Sequence, residues 1–174
     1  MANKNLPQGA TPRNVDGASL SRQYIATGET TKHGDTLYRN TAGLITGTED
    51  ANYPIVGIQN GAIIDESDGK VNATSLSGDV VMVWDDPHEE FIIQASTFAA
   101  TTPYTCRVSS ACFDQGGTSG ALYVDVGAST YDDWKVLRRA AEPDTGIESA
   151  IGAYAKVVAQ VNPNRHERAN FGAA

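Results

Sequence analysis

Short runs of β-branched and aromatic residues, separated by polar turn formers, recur along most of the chain. They cover 24–27, 36–39, 54–59, 62–65, 70–74, 79–84, 90–95, 104–108, 121–126 and 134–138, and a longer closing run spans 151–161. Strands of this length at this spacing predict an all-β domain, a single β-sandwich or β-barrel of jelly-roll-like type. The unbroken apolar run Val80, Val81, Met82, Val83, Trp84 suits a strand buried on both faces. The stretch from Ala155 to Val161 carries the other strong strand signal, and both are expected at the centre of a sheet. Its Ala content would allow a helix over 148–159, but the β-branched pair Val157 and Val158 and the stop at Asn162 and Pro163 favour a strand. Polar turn formers precede Gly69 at 65–68, and Asp85, Asp86 and Pro87 close the Trp84 strand, so both places read as surface reversals.

This pattern fails at both ends. Residues 1–22 and 162–174 lack apolar periodicity and are rich in Asn, Gly, Pro and Ala. Such composition buries too little surface to offset the entropy lost on ordering. The division expected is an extended N-terminal arm over 1–22, a β domain over 23–161 and a C-terminal tail over 162–174. Lys4, Arg13 and Arg22 against Asp16 give the first arm +2, and Arg165 and Arg168 against Glu167 give the last +1, leaving −11 for the middle. Two readings stay open: frayed termini, or arms whose charge opposes that of their own body and which reach to a neighbour.

Composition narrows the classes. A chain of 174 residues makes one ordinary domain and removes about 70% of its unfolded surface on folding, enough for a core without staples. No stretch approaches the ~20 apolar residues of a membrane helix, and the first residues lack the apolar core of a signal peptide. The net charge of −8 argues against phosphate-backbone binding, so neither nucleic acid nor membrane is an expected partner. Cys106 and Cys112 match no metal or redox spacing, and free thiols are favoured over a bridge for a protein assembled in reducing cytosol.

Little in the chain is catalytic. Gly117, Thr118, Ser119, Gly120 places a serine in a Gly-rich turn, and His33 and Asp86 would supply the base and the carboxylate of a hydrolytic triad. His33 lies in a plain Thr, Lys, His, Gly turn, and the residues around 114–117 are equally good turn sequence. The acidic pairs Asp85 with Asp86, Glu89 with Glu90 and Asp132 with Asp133, and the loop 65–69, hold oxygen ligands without the alternating spacing of a calcium loop. His88 and His166 have no partner at ligand spacing and read as solvated loop histidines. Asn72, Ala73, Thr74 is a formal glycosylation sequon inside a β segment. No nucleotide-binding glycine motif occurs, so no cofactor, metal or catalytic residue is expected, and the chain reads as a non-enzyme.

Several local patterns, in order, are similar to one family. They are Met1, Ala2, Asn3, Lys4, Asn5 with Pro7, Gly9 and Pro12; Gly34, Asp35; and Pro54, Ile55, Val56, Gly57, Ile58. Then come Asp86, Pro87 with Phe91 to Gln94; Gly117 to Gly120; Leu137, Arg138; Pro143, Asp144; and the 153–162 strand followed by His166. Together they resemble the capsid decoration, or cement, proteins of tailed bacteriophages over nearly the whole chain. Thr145 stands where that pattern has Asn, Val157 where it has an aromatic, and 167–174 runs past the usual end. The resemblance implies a virion protein on the outer surface of the head, bound to the major capsid protein and stabilising the shell against the pressure of packaged DNA. It implies no active site, and a homo-oligomer fits the local symmetry of capsomer junctions, a trimer ahead of a dimer. The candidate capsid-binding residues are those of the two ends: Asn3, Lys4, Asn5, Leu6, Pro7, Arg13, Arg165, His166 and Arg168. Deletion of 1–15 is then expected to leave the body folded and weaken shell binding. Two alternatives remain: a displayed glycan-binding or adhesion module using the loop Tyr131, Asp132, Asp133, Trp134, and a hydrolase using Ser119 with His33.

Overall fold

A computed structural model of the chain describes residues 9–13, 20–24, 31, 33–47, 52–61, 63–64, 71–72, 79–95, 97–98, 107–108, 133–141 and 146–167. Among the described residues every regular element is a strand. In chain order they begin with β1 (Thr11–Pro12), β2 (Leu20–Tyr24), β3 (Thr36–Arg39), β4 (Ile45–Thr46), β5 (Ile55–Gln59), β6 (Ile63–Ile64) and β7 (Val71–Asn72). Then follow β8 (Val80–Trp84), β9 (Phe91–Gln94), β10 (Thr97–Phe98), β11 (Arg107–Val108), β12 (Trp134–Arg139), β13 (Gly152–Ala153) and β14 (Lys156–Val161). The protein is all-β, with two main antiparallel sheets, one of them a half-barrel.

One sheet runs β1-β9-β14-β12-β11; the larger runs β4-β3-β5-β8-β6-β7 with β2 on the remaining side of β8; β10 and β13 pair separately. As the sequence pattern predicts, β8 and β14 are interior strands. β8 pairs with β2, β5 and β6, and β14 lies between β9 and β12.

The main core joins both sheets. Tyr38, Ile55, Ile58 and Trp84 from the larger sheet meet Phe91, Ile93, Trp134, Val136, Val157, Ala159 and Val161 from the five-stranded one. Phe91 stands between two tryptophans, with ring centroids 6.2 Å from Trp84 and 5.8 Å from Trp134. The Trp134 indole N–H donates to Thr36 Oγ1 at 3.3 Å, so the buried ring keeps a polar partner on the opposite sheet. The other face of the larger sheet buries Leu37, Ile45, Val56, Val81 and Val83. Replacing Phe91 by alanine is expected to cost about 3–5 kcal/mol of unfolding free energy in urea titration. A loss below about 1 kcal/mol would mean that the sheets do not share this core.

Strict alternation would place Ile55 and Ile58 on opposite faces, yet both enter the main core. The cause is a bulge: Leu37 pairs with Gly57 and Tyr38 with Ile55, leaving Val56 as an extra residue on β5. Gly57, at φ +155°, then lies so close to β8 that a Cβ would fall 2.7 Å from Val83 Cγ1 and 2.9 Å from the Trp84 carbonyl carbon. A second register shift between Val136 and Arg138 returns Arg138 to the side opposite the core, in register with Val158.

Several strands depart from the sequence expectation. The closing run 151–161 is two strands, broken where Tyr154 takes φ +60°. β2 starts four residues before the expected run at 24–27, because pairing with all of β8 outweighs the polarity of its own sequence. β4 depends on a turn in which Asn40 Oδ1 accepts from Ala42 N and Leu44 N, each at 3.0 Å, which a hydrophobicity pattern does not signal. The expected strand at 121–126 lies outside the described residues.

Candidate interaction surfaces at the chain ends

The first end is tied to the body from Gly9 onward. Arg13 N donates to Glu90 O at 2.7 Å, and β1 pairs with β9 with Thr11 opposite Ile92. On the other flank Ala10, fully buried, donates from N to Gly34 O at 3.0 Å, and Gly34 N donates to Gln59 O at 2.9 Å. Gly9 and Gly34 both adopt positive φ, and a Cβ on Gly34 would lie 2.9 Å from Gly9 Cα, so the two backbones touch only because neither has a side chain. Residues 9–13, and 20–24 through β2, are therefore parts of the β domain rather than of an arm standing off it. Arg13 keeps half of its side-chain surface and bonds Glu90 Oε2 at 2.6 Å. Asn3, Lys4, Asn5, Leu6 and Pro7 lie outside the described residues.

The second end also folds back. Asn162 Oδ1 accepts from Asn164 N at 3.1 Å and Asn162 O accepts from Arg165 N at 2.9 Å, a turn that Asn and Pro promote. The chain then runs parallel to Ile55 at His166, with Ile55 N donating to Arg165 O at 2.7 Å and Glu167 N to Ile55 O at 2.8 Å. Arg165 Nε donates to Asp133 Oδ1 at 3.0 Å, while Asp133 Oδ2 accepts from the Tyr38 hydroxyl at 2.8 Å. This carboxylate is 2% exposed, and the Arg165 guanidinium and the Tyr38 hydroxyl are its partners inside the protein. Arg39 grips Glu167 by two bonds, Nε to Oε2 at 2.7 Å and the NH2 nitrogen to Oε1 at 3.0 Å. That hydrogen bonding holds the Arg39 guanidinium above its ordinary pKa; burial opposes the shift and the Coulomb attraction of Glu167 adds to it. His166 is 0% exposed, which corrects its reading as a solvated loop histidine. Arg165 and His166 thus serve the protein's own fold, and the domain continues past 161 to at least 167. Arg168 lies outside the described residues.

The alternatives are placed as follows. His33 is exposed, its Nδ1 accepts from Gly61 N at 2.9 Å, and its ring stands edge-on to Trp84 with centroids 5.3 Å apart. With Nδ1 engaged by a backbone N–H, the ring is not held there by a carboxylate as the base of a triad is. Asp86 Oδ1 accepts from His88 N at 2.8 Å within its own turn. Ser119, the calcium-like loop 65–69, Cys106 and Cys112 lie outside the described residues. Asp133 and Trp134 of the supposed glycan loop are buried and structural, whereas Tyr131 and Asp132 lie outside the described residues. No three His, Cys, Asp or Glu side chains converge as metal ligands among the described residues.

Sequence reasoning missed the role of Asp133, Tyr38, Arg39 and Glu167, the groups that hold the last segment down. The available signal was the Asn, Pro, Asn turn at 162–164, which reverses a chain onto its body rather than releasing it. Exposed large apolar side chains among the described residues are Ile147, Ile151 and Tyr154, all on the segment leading into β14. No protein-family model matches the chain, and no curated protein matches it.

Proposed function

We propose that this protein is a decoration protein of a tailed-phage head, bound on the outside of the shell to the major capsid protein and stabilising it against internal pressure. The observation that carries the reading is the ordered series of sequence patterns from Met1 to His166. What supports it further is where those patterns fall. Gly34 receives Gly9 and Ala10, Gly57 lies against β8, Phe91 and Ile93 sit in the shared core, and Asn162 to His166 form the turn and strap. Among the described residues, the resemblance thus includes positions that keep two sheets and two chain ends together, as befits a part that bears load. Copies self-associate to match the local symmetry of the shell, threefold ahead of twofold, so that each repeats the same contacts. Many weak contacts repeated over a symmetric surface then add avidity.

Because Gly9 to Arg13 belong to the body, deletion of 1–15 would remove β1 and the buried Ala10, and deletion of 1–8 is the clean test of an intermolecular arm. Quantitative mass spectrometry of purified heads is expected to find the protein in fixed stoichiometry to the shell subunit. Heads lacking it should release DNA at a lower temperature in a dye-release melt. Purified heads without the protein in normal growth would end the proposal.

A further inference from the structure

The side of the five-stranded sheet turned away from the core carries a charge opposite to that of the chain. Phe91, Ile93, Trp134, Val136, Val157 and Ala159 enter the core, so the pleat directs the alternate positions outward. Lys135 on β12 and Lys156 on β14 are exposed on that side. Arg13 and Arg138 meet there on Glu90, 2.6 and 3.5 Å from Oε2, and keep 50% and 40% of their side-chain surface. Among the described residues of these strands and their ends, four cations thus face outward against the single carboxylate of Glu90, in a chain of net charge −8. Arg107 holds the register position opposite Lys135. At the centre, Val158, in register with Ile92 and Arg138, is 1% exposed. Gln94, in register with Lys156, is 6% exposed, so the accessible part of this side is its charged side chains.

A chain with surplus carboxylates has no need to gather cations on one sheet, and gathering them costs mutual repulsion. A partner of opposite charge removes that cost. We propose that this face docks on an acidic protein surface, that of the shell subunit; the assignment rests on the decoration reading above. Arg13 and Arg138 present guanidinium forks able to donate two N–H bonds to a carboxylate, and Glu90 fixes their positions beforehand. A phosphate backbone is the poorer match, because the remainder of the chain repels a long polyanion. A carboxylate patch, by contrast, need extend no further than the face. Charge complementarity of this kind sets the orientation of docking and raises its rate.

The test uses the full chain and DNA-free shells assembled from the major capsid protein, with binding read by co-sedimentation. Wild-type binding is expected to weaken about tenfold or more between roughly 50 and 300 mM NaCl. K135E/K156E should bind at least about tenfold more weakly at the lower salt, with K135Q/K156Q between the two. Neither lysine is buried, so far-UV circular dichroism and melting should match the wild type. Equal binding of wild type and K135E/K156E would overturn the assignment of this face while leaving the decoration reading standing. Wild type that fails to bind shells would overturn both. Wild type that retards duplex DNA in a gel, with retardation lost in K135E/K156E and shell binding kept, would overturn the proposal in favour of a nucleic-acid site.

Discussion

Ending the chain at residue 161 is expected to unfold the domain, whereas ending it at 167 is expected to leave it folded. The last six residues of the longer form supply Arg165 to the buried Asp133, Glu167 to Arg39 and the backbone partners of Ile55 on both sides of His166. Removing one partner of a buried ion pair costs about 3–5 kcal/mol, because the other charge is left uncompensated. Each lost backbone bond adds about 1 kcal/mol. Vacating the space filled by the fully buried His166 opens a cavity in addition. A domain whose whole stability is about 5–15 kcal/mol does not survive that loss comfortably. Circular dichroism and thermal melting of the two truncated forms decide the matter. A 1–161 chain melting within a few degrees of the full protein would show that the segment is only a tail.

The second large effect is expected from Gly57→Ala. The new Cβ meets the Trp84 carbonyl and the Val83 side chain at once, and backbone cannot swing aside as a flexible side chain can. Relief requires β5 and β8 to separate, at the point where Ile58 pairs with Trp84 and Gln59 with Val83. A loss of at least about 3 kcal/mol in urea unfolding is expected, at the upper end of overpacking effects. Gly61→Ala is the control: its φ of +84° is strained for alanine but nothing lies within 4 Å of the added atom. That change should cost only about 1–2 kcal/mol, the penalty of the left-handed conformation. Similar losses for the two would show that conformation, rather than the approach of the strands, governs Gly57.

Fold class was legible because the signal for it is local. Val80 to Trp84 is apolar without a break, and Lys156 to Val161 is β-branched and bounded by a proline; each became an interior strand. Bulges were not legible, because the extra residue at Val56 appears only when β5 is laid beside β3. The ends were misread for a related reason. Thr11 and Pro12 are polar or small, so they look unfit for a core, but what they contribute is backbone pairing and close approach, which hydrophobicity does not report. Arg165 and Glu167 look like solvated charges until their partners, Asp133 and Arg39, arrive from elements 32 and 128 residues away. The buried state of His166 follows from those two anchors on either side of it, and no property of histidine announces it. The cationic face escaped notice because its members, Arg13, Lys135, Arg138 and Lys156, are scattered in sequence and meet only through strand order.

The short β1 has a consequence for crowding. Its backbone groups alternate in direction, so those of Thr11 and Arg13 face β9 while those of Ala10 and Pro12 face the opposite border. The Ala10 N–H is already taken by Gly34 O, and proline has no N–H to offer. An incoming strand from a neighbouring molecule thus finds no free donor at Ala10 or Pro12 on that border. Where many copies stand side by side, this border resists the edge-to-edge templating from which fibrous aggregates grow.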